Sequence, residues 1–147
     1  MTNVKPVPEG YHTVTPYLII DGVDKVLEFL KRAFGAEVTE RIADDSGAVR
    51  HAEVKIGDSV IMMGQARDQW KPRPSAFYLY LPDVDAVYQR ALQAGGTSLQ
   101  EPTNQFYGDR SGGVEDAAGN QWWIATHVED VSREELQRRM ASATKAT

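Results

Sequence analysis

His51, Glu53, Glu115 and His127 are the residues best suited to hold a metal or move a proton in this 147-residue chain. In HAEVKI, residues 51–56, His51 and Glu53 share one parity, so on a strand both side chains leave the same face. Imidazole and carboxylate together can ligate a divalent cation or relay a proton, and His127 with Glu53 are the acid/base candidates. The three histidines form no HxH or HExxH pair that would place two of them on one metal. His12, on the opposite parity from Thr15, reads as a surface or capping residue. Zero cysteines exclude a disulfide framework, a thiolate metal site and a cysteine nucleophile. Neither a nucleophile elbow nor a phosphate-cradling loop is present. Gly108, Gly112 and Gly113 precede a short strand instead of a helix, which predicts a hairpin turn or a close backbone approach.

A second set of residues can stack and hydrogen-bond. In QWWIATH, residues 121–127, alternation splits the tryptophans: Trp122 goes with Ile124, and Trp123 with Gln121, Ala125 and His127. Residues 76–81 divide likewise, with Phe77, Leu79 and Leu81 on an apolar face and Tyr78 and Tyr80 opposite. Trp123, Tyr17, Tyr78 and Tyr80 would suit a planar or extended aromatic ligand, because large rings lose little conformational entropy on binding. Glu53 and Glu115 would attract a cationic group. Arg110 points instead to a carboxylate or phosphate on the ligand, or to an internal ion pair with Asp109 or Asp116.

The elements that position these residues emerge from an internal repeat at an offset of 61 residues, in which Val23 and Asp24 correspond to Val84 and Asp85, and Ala33 and Gly35 to Ala94 and Gly96. Each half carries an amphipathic helix ended near a glycine. Strands are expected at 13–20, 37–43, 49–56 and 59–63, then at 76–81, 97–103, 112–115 and 121–128. The fold class is α+β: two βαβββ modules, 11–64 and 76–128, forming a curved mixed sheet around a cavity. Residues 65–75, with Pro72 and Pro74, form an extended linker whose Trp70 would lie over the cavity mouth or in a subunit interface. Ser132 and Glu135 form a capping box for a C-terminal helix over 131–141, with fraying beyond Ala141.

Two such modules resemble the vicinal oxygen chelate superfamily of glyoxalases, extradiol dioxygenases and bleomycin-resistance proteins. TPYLIIDGVDKVLEFLKRAFGAE, HAEVKIGDSVIMM and YGDRSGGVEDAAGNQWWIATH are similar to its PhnB-like branch. The resemblance implies metal ligands at the first strand of each module and the last strand of one or both. Those positions fall here on Thr15, on Ala76, on Trp123, and on Ile61 or Met62. None of these side chains offers imidazole nitrogen or carboxylate oxygen, so the usual metal site is expected to be absent, with no cofactor. The resemblance then implies a metal-free protein binding a planar aromatic or hydrophobic compound, with Trp123, Tyr17, Tyr78, Tyr80, Met62, His51, Glu53, Glu115, Arg110 and His127 as lining residues. The alternative is a lyase, isomerase or dioxygenase using a displaced metal or an acid/base pair such as His127/Glu53. Relatives commonly dimerise, often pairing modules across chains, which implies a homodimer.

A formal net charge of −5 with scattered Lys and Arg carries no footprint for nucleic acid or an anionic membrane. The N-terminus lacks the sections of a signal peptide and no apolar run approaches a bilayer span, so a cytoplasmic protein is expected.

Overall fold

In the computed structural model, which describes residues 4–146, the chain runs β1 (Tyr17–Ile20), α1 (Val23–Phe34), β2 (Glu37–Ala43), β3 (Val49–Ile56), β4 (Ser59–Gln65), β5 (Ala76–Tyr80), α2 (Val84–Gln93), β6 (Thr97–Asn104), β7 (Asp109–Glu115), β8 (Gln121–His127) and α3 (Arg133–Ala146). Each βαβββ module is its own four-stranded sheet, ordered β1-β4-β3-β2 and β5-β8-β7-β6. The opening strand joins the closing strand in parallel and the other pairs are antiparallel.

α1 packs on the first sheet, α2 on the second, and the helices on each other. Leu18, Ile20, Val54 and Met63 meet Val114, Trp122 and Ile124 in one core shared by both modules. Burying each such side chain contributes roughly 1.5–3 kcal/mol. Trp122 stacks on Phe77 with centroids 4.5 Å apart, and its indole N–H donates to the buried Asp116 at 2.9 Å. Because the apolar parity of both sheets is spent on this core, one chain presents two open faces directed away from it. The sheets curve but do not close on each other.

The repeat reaches the backbone. Gly22 (φ 79°) and Asp83 (φ 55°), 61 residues apart, start the helices from left-handed conformations. Gly22 needs no side chain for this, whereas Asp83 also caps α2 by accepting from the Ala86 N–H at 3.3 Å. Gly96 lets the modules meet, since a Cβ there would stand 3.2 Å from the ring of Phe29 on α1 and 2.9 Å from the Ala91 carbonyl.

Several boundaries differ from expectation for local reasons. β1 begins at Tyr17, not 13, because the Thr15 hydroxyl turns back to the His12 carbonyl and Pro16 offers only its carbonyl, which accepts from Met62 N. Val14, on the same parity as the buried Leu18 and Ile20, is consequently exposed. β7 starts at Asp109, not 112, with Gly112 and Gly113 inside the strand, so the close-approach reading of the glycines holds for these two. β4 continues to Gln65, whose partner is Ile20. α3 extends past Ala141 to Ala146; the Ser132 hydroxyl accepts from Glu135 N at 3.2 Å, and Arg139 ties the helix to Glu129 and to the Phe106 carbonyl. No helix among the described residues is long and apolar enough to cross a membrane.

Candidate functional site

The open face of the second module is an aromatic platform anchored on one buried carboxylate. Tyr78, Trp123 and Gly113 form one row across β5, β8 and β7, and Tyr80, Ala125 and Ser111 the next. Trp123 lies flat on Gly113, where a Cβ would meet the indole at 2.5 Å, so only glycine admits the ring in this place. Asp109, 2% exposed, accepts from the Tyr78 hydroxyl at 2.8 Å and the Tyr80 hydroxyl at 3.0 Å. The rings themselves stay open, Tyr78 being 44% and Tyr80 64% exposed.

His127 closes this network. Its Nδ1 stands 2.8 Å from Asp109 and its Nε2 2.7 Å from Asp130. A neutral imidazole has one N–H, so only the imidazolium donates to both carboxylates. Accordingly Asp109 first, and Asp130 second, hold the His127 pKa above its ordinary 6.5. Burial pushes Asp109 upward, but the hydrogen bonds from His127, Tyr78 and Tyr80 outweigh it and keep the carboxylate below its ordinary range. Tyr78 is pushed well up, chiefly by burial and then by Tyr107 and Asp109, and therefore remains a hydroxyl donor.

The first module builds its open face differently. Tyr17, Met62 and Glu53 share a row across β1, β4 and β3, with His51 one row away opposite Gly64. Tyr17 lies over Gly64, where a Cβ would meet its hydroxyl at 2.5 Å, and its ring centroid is 5.9 Å from that of His51. Glu53, 5% exposed, accepts from the Tyr11 hydroxyl through one oxygen and meets His51 Nε2 at 3.0 Å through the other. Burial raises the Glu53 pKa, while hydrogen bonds with Tyr11, His51 and Glu40 together lower it by more. Two adjoining clefts open here. Trp70 lines one of ≈340 Å³ with Tyr17, Ile19, Gly64 and Arg67, which puts this tryptophan at a cleft edge, and His51 lines the other of ≈540 Å³ with Tyr17, Arg50 and Arg67.

The expected lining residues thus divide between the modules. Tyr17, His51, Glu53 and Met62 belong to the first face, and Tyr78, Tyr80, Trp123 and His127 to the second. His127 and Glu53 sit in different sheets, so one chain does not couple them as an acid/base pair. Arg110 has the opposite parity. It makes a bidentate pair, 2.9 Å and 2.9 Å, with Asp85 at the start of α2, instead of pairing with Asp109 or Asp116. Asp116 serves the β7–β8 turn, accepting from Ala118, Asn120 and Trp122. Glu115 lies across from Gln121 at the end of β7, and the position equivalent to Glu53 in the second module is Gly113. His12 is exposed, as expected.

Sequence reasoning missed Asp109, Tyr11 and Glu40. A β7 begun at Asp109 would have placed that residue on the parity of Ser111 and Gly113. Tyr11 reaches Glu53 from outside any regular element, and no spacing announces it. Glu40 is brought in by a backbone irregularity described below.

The superfamily's usual metal does not fit this chain. Thr15 spends its hydroxyl on the His12 carbonyl, Ala76 has no donor atom, and the register makes Met62 the counterpart of Trp123, both paired with the tyrosine of their module. The indole of Trp123 occupies the ground that a ligating carboxylate would need.

Residues 11–124 match the Glyoxalase/Bleomycin resistance protein/Dioxygenase superfamily, and the chain belongs to it. It is 30% identical over 151 aligned positions to uncharacterised proteins of Mycobacterium bovis, covering 95% of each chain, and of Mycobacterium tuberculosis, covering 95% of this chain and 85% of the relative. Its fold is similar to TioX from Micromonospora sp. ML1, with a TM-score of 0.69 at 22% identity over 80% of this chain and 99% of that one. A glyoxalase-related enzyme from Fulvimarina pelagi superposes with a TM-score of 0.60 at 18% identity, covering 78% and 87%.

Proposed function

We propose that this protein binds a planar aromatic or hydrophobic small molecule without the superfamily's metal, on the platform of Trp123, Tyr78 and Tyr80. The observation that carries this reading is the pairing of open rings with immobilised hydroxyls. Tyr78 and Tyr80 are about half exposed while both oxygens are held by the buried Asp109. Such rings are already ordered before a ligand arrives, which removes much of the entropic cost of stacking. His127 beside them is fixed between Asp109 and Asp130, which holds its ring at the edge of the platform.

An open face stacks only one side of a ligand. Pairing of this face with a module of a second chain, as a homodimer, would cover the other side. The cytoplasm and the PhnB-like branch are the setting that fits the composition and motifs. An acid/base enzyme is the weaker reading, because His127 is committed to two carboxylates and Glu53 lies in the other sheet.

Tryptophan fluorescence tests the platform. In a Trp70→Phe background, planar aromatic compounds should quench emission, and Trp123→Ala should abolish the quenching while the circular dichroism of the fold persists. Quenching that survives Trp123→Ala, or disappears with Trp70→Phe alone, would place the ligand elsewhere.

A further inference from the structure

We propose that Glu40, His51 and Glu53, on the open face of the first module, hold a divalent transition-metal ion at a site displaced from the superfamily's usual one. Glu40 and Glu53 are direct cross-strand partners on β2 and β3, and His51 lies two residues before Glu53 on the same face. One donor atom from each of the three lies within 4.8 Å of the others.

The distances suit one ion. Two donors bound at about 2.1 Å and at right angles stand about 3.0 Å apart, and His51 Nε2 is 3.0 Å from Glu53 Oε2. The Tyr11 hydroxyl donates to the other oxygen of Glu53, which orients the carboxylate and leaves Oε2 for the metal. Outer hydrogen bonds of this kind commonly fix ligating carboxylates.

Backbone geometry delivers the third ligand. Val38 pairs with Val54 on the helix-packed side, and strict alternation would send Glu40 to that side as well. A register shift between Val38 and Glu40 makes Glu53 the partner of Glu40 and turns the latter to the open face. The second module has the same shift between Ser98 and Gln100, yet its equivalents of Glu40, His51 and Glu53 are Gln100, Ser111 and Gly113. The shift is therefore a property of the repeat, and the acids are specific to the first module.

Charge points the same way. Glu53 is almost fully buried beside a second carboxylate, and among the described residues no lysine or arginine makes an ion pair with either. One imidazole nitrogen with two carboxylate oxygens suits Zn²⁺ or Mn²⁺. His51 also lines the ≈540 Å³ cleft, so the ion would stand in its wall.

Protein prepared with chelator and without an affinity metal should be titrated calorimetrically with Zn²⁺ and with Mn²⁺. One ion per chain is expected, with affinity lowered more than about tenfold by Glu40→Gln and by His51→Ala, and about 10- to 100-fold by Tyr11→Phe. Glu40 is exposed, so its variant should fold like the parent, and His12→Ala, at an exposed histidine outside the cluster, should bind the ion unchanged. Absence of saturable uptake of both ions, uptake indifferent to Glu40→Gln and His51→Ala, or uptake lost in His12→Ala would overturn the proposal. Fluorescence quenching at Trp123 reads the other module, so either idea can fail while the other stands.

Discussion

Where Tyr17, Met62 and Glu53 stand side by side in the first sheet, the second carries Tyr78, Trp123 and Gly113. The tyrosine is kept and everything beside it is exchanged. A small residue on β7 frees room for an indole, whereas an acid on β3, with His51 and Glu40 near it, gathers donors instead of rings. One scaffold thus carries an aromatic platform and a polar cluster, and the helix-side residues are apolar in both. Duplication constrains the faces that pack on the helices, because any misfit there costs core energy, and leaves the open faces free to diverge.

The sharpest break of this contrast is between the two tryptophans. Trp122→Ala should cost roughly 3–5 kcal/mol in denaturant unfolding, since it empties a fully buried site between Phe77 and Phe34. Next, Asp109→Asn should destabilise by about 2 kcal/mol, because one carboxylate serves Tyr78, Tyr80 and His127. It should also blunt ligand quenching, as the tyrosine rings lose their anchor.

Gly113→Ala should displace Trp123 and remove quenching, with a stability change below about 1.5 kcal/mol because a half-buried ring on an open face can swing outward. Gly64→Ala, which displaces Tyr17 in the other module, should leave quenching intact. Equal effects of the two glycine substitutions on quenching would erase the proposed division between the faces.

A pH dependence distinguishes the modules further. The His127 pKa is raised above 6.5 in the folded chain, so its contribution is complete below that value and is lost as pH climbs through the folded pKa. Asp109 is lowered from 3.8, so its contribution is complete above that value and is lost as pH falls through its folded pKa. Thermal midpoints measured across the alkaline side should decline in the parent protein and decline less in His127→Gln. The smallest expected effect is Asp83→Gly, a few tenths of a kcal/mol, because glycine suits φ 55° and only the cap to Ala86 is lost.

Helix starts and ends, the two-module repeat and the inward set of Phe77, Trp122 and Ile124 were legible because hydrophobic period and glycine placement are local signals. The separation of Trp122 from Trp123 followed from alternation alone. Less of the site was readable. Asp109 was hidden behind a strand boundary, Glu40 behind a register shift that alternation cannot anticipate, and Tyr11 in a segment whose path depends on the sheet it crosses.

By itself, then, the amino-acid order determined the apolar side of β5 and β8 and the two-module repeat, and its motifs pointed to the superfamily. Through the resemblance it also put Thr15, Ala76, Trp123 and either Ile61 or Met62 at the usual metal positions, and strand register settled on Met62. Only the tertiary structure decided that His51 and Glu53 belong with Glu40 and Tyr11, that His127 belongs with Asp109 and Asp130, and that these groups lie on separate faces. Those partnerships join residues distant along the chain, and they depend on strand register and on the packing of α1 against α2, which no local period encodes.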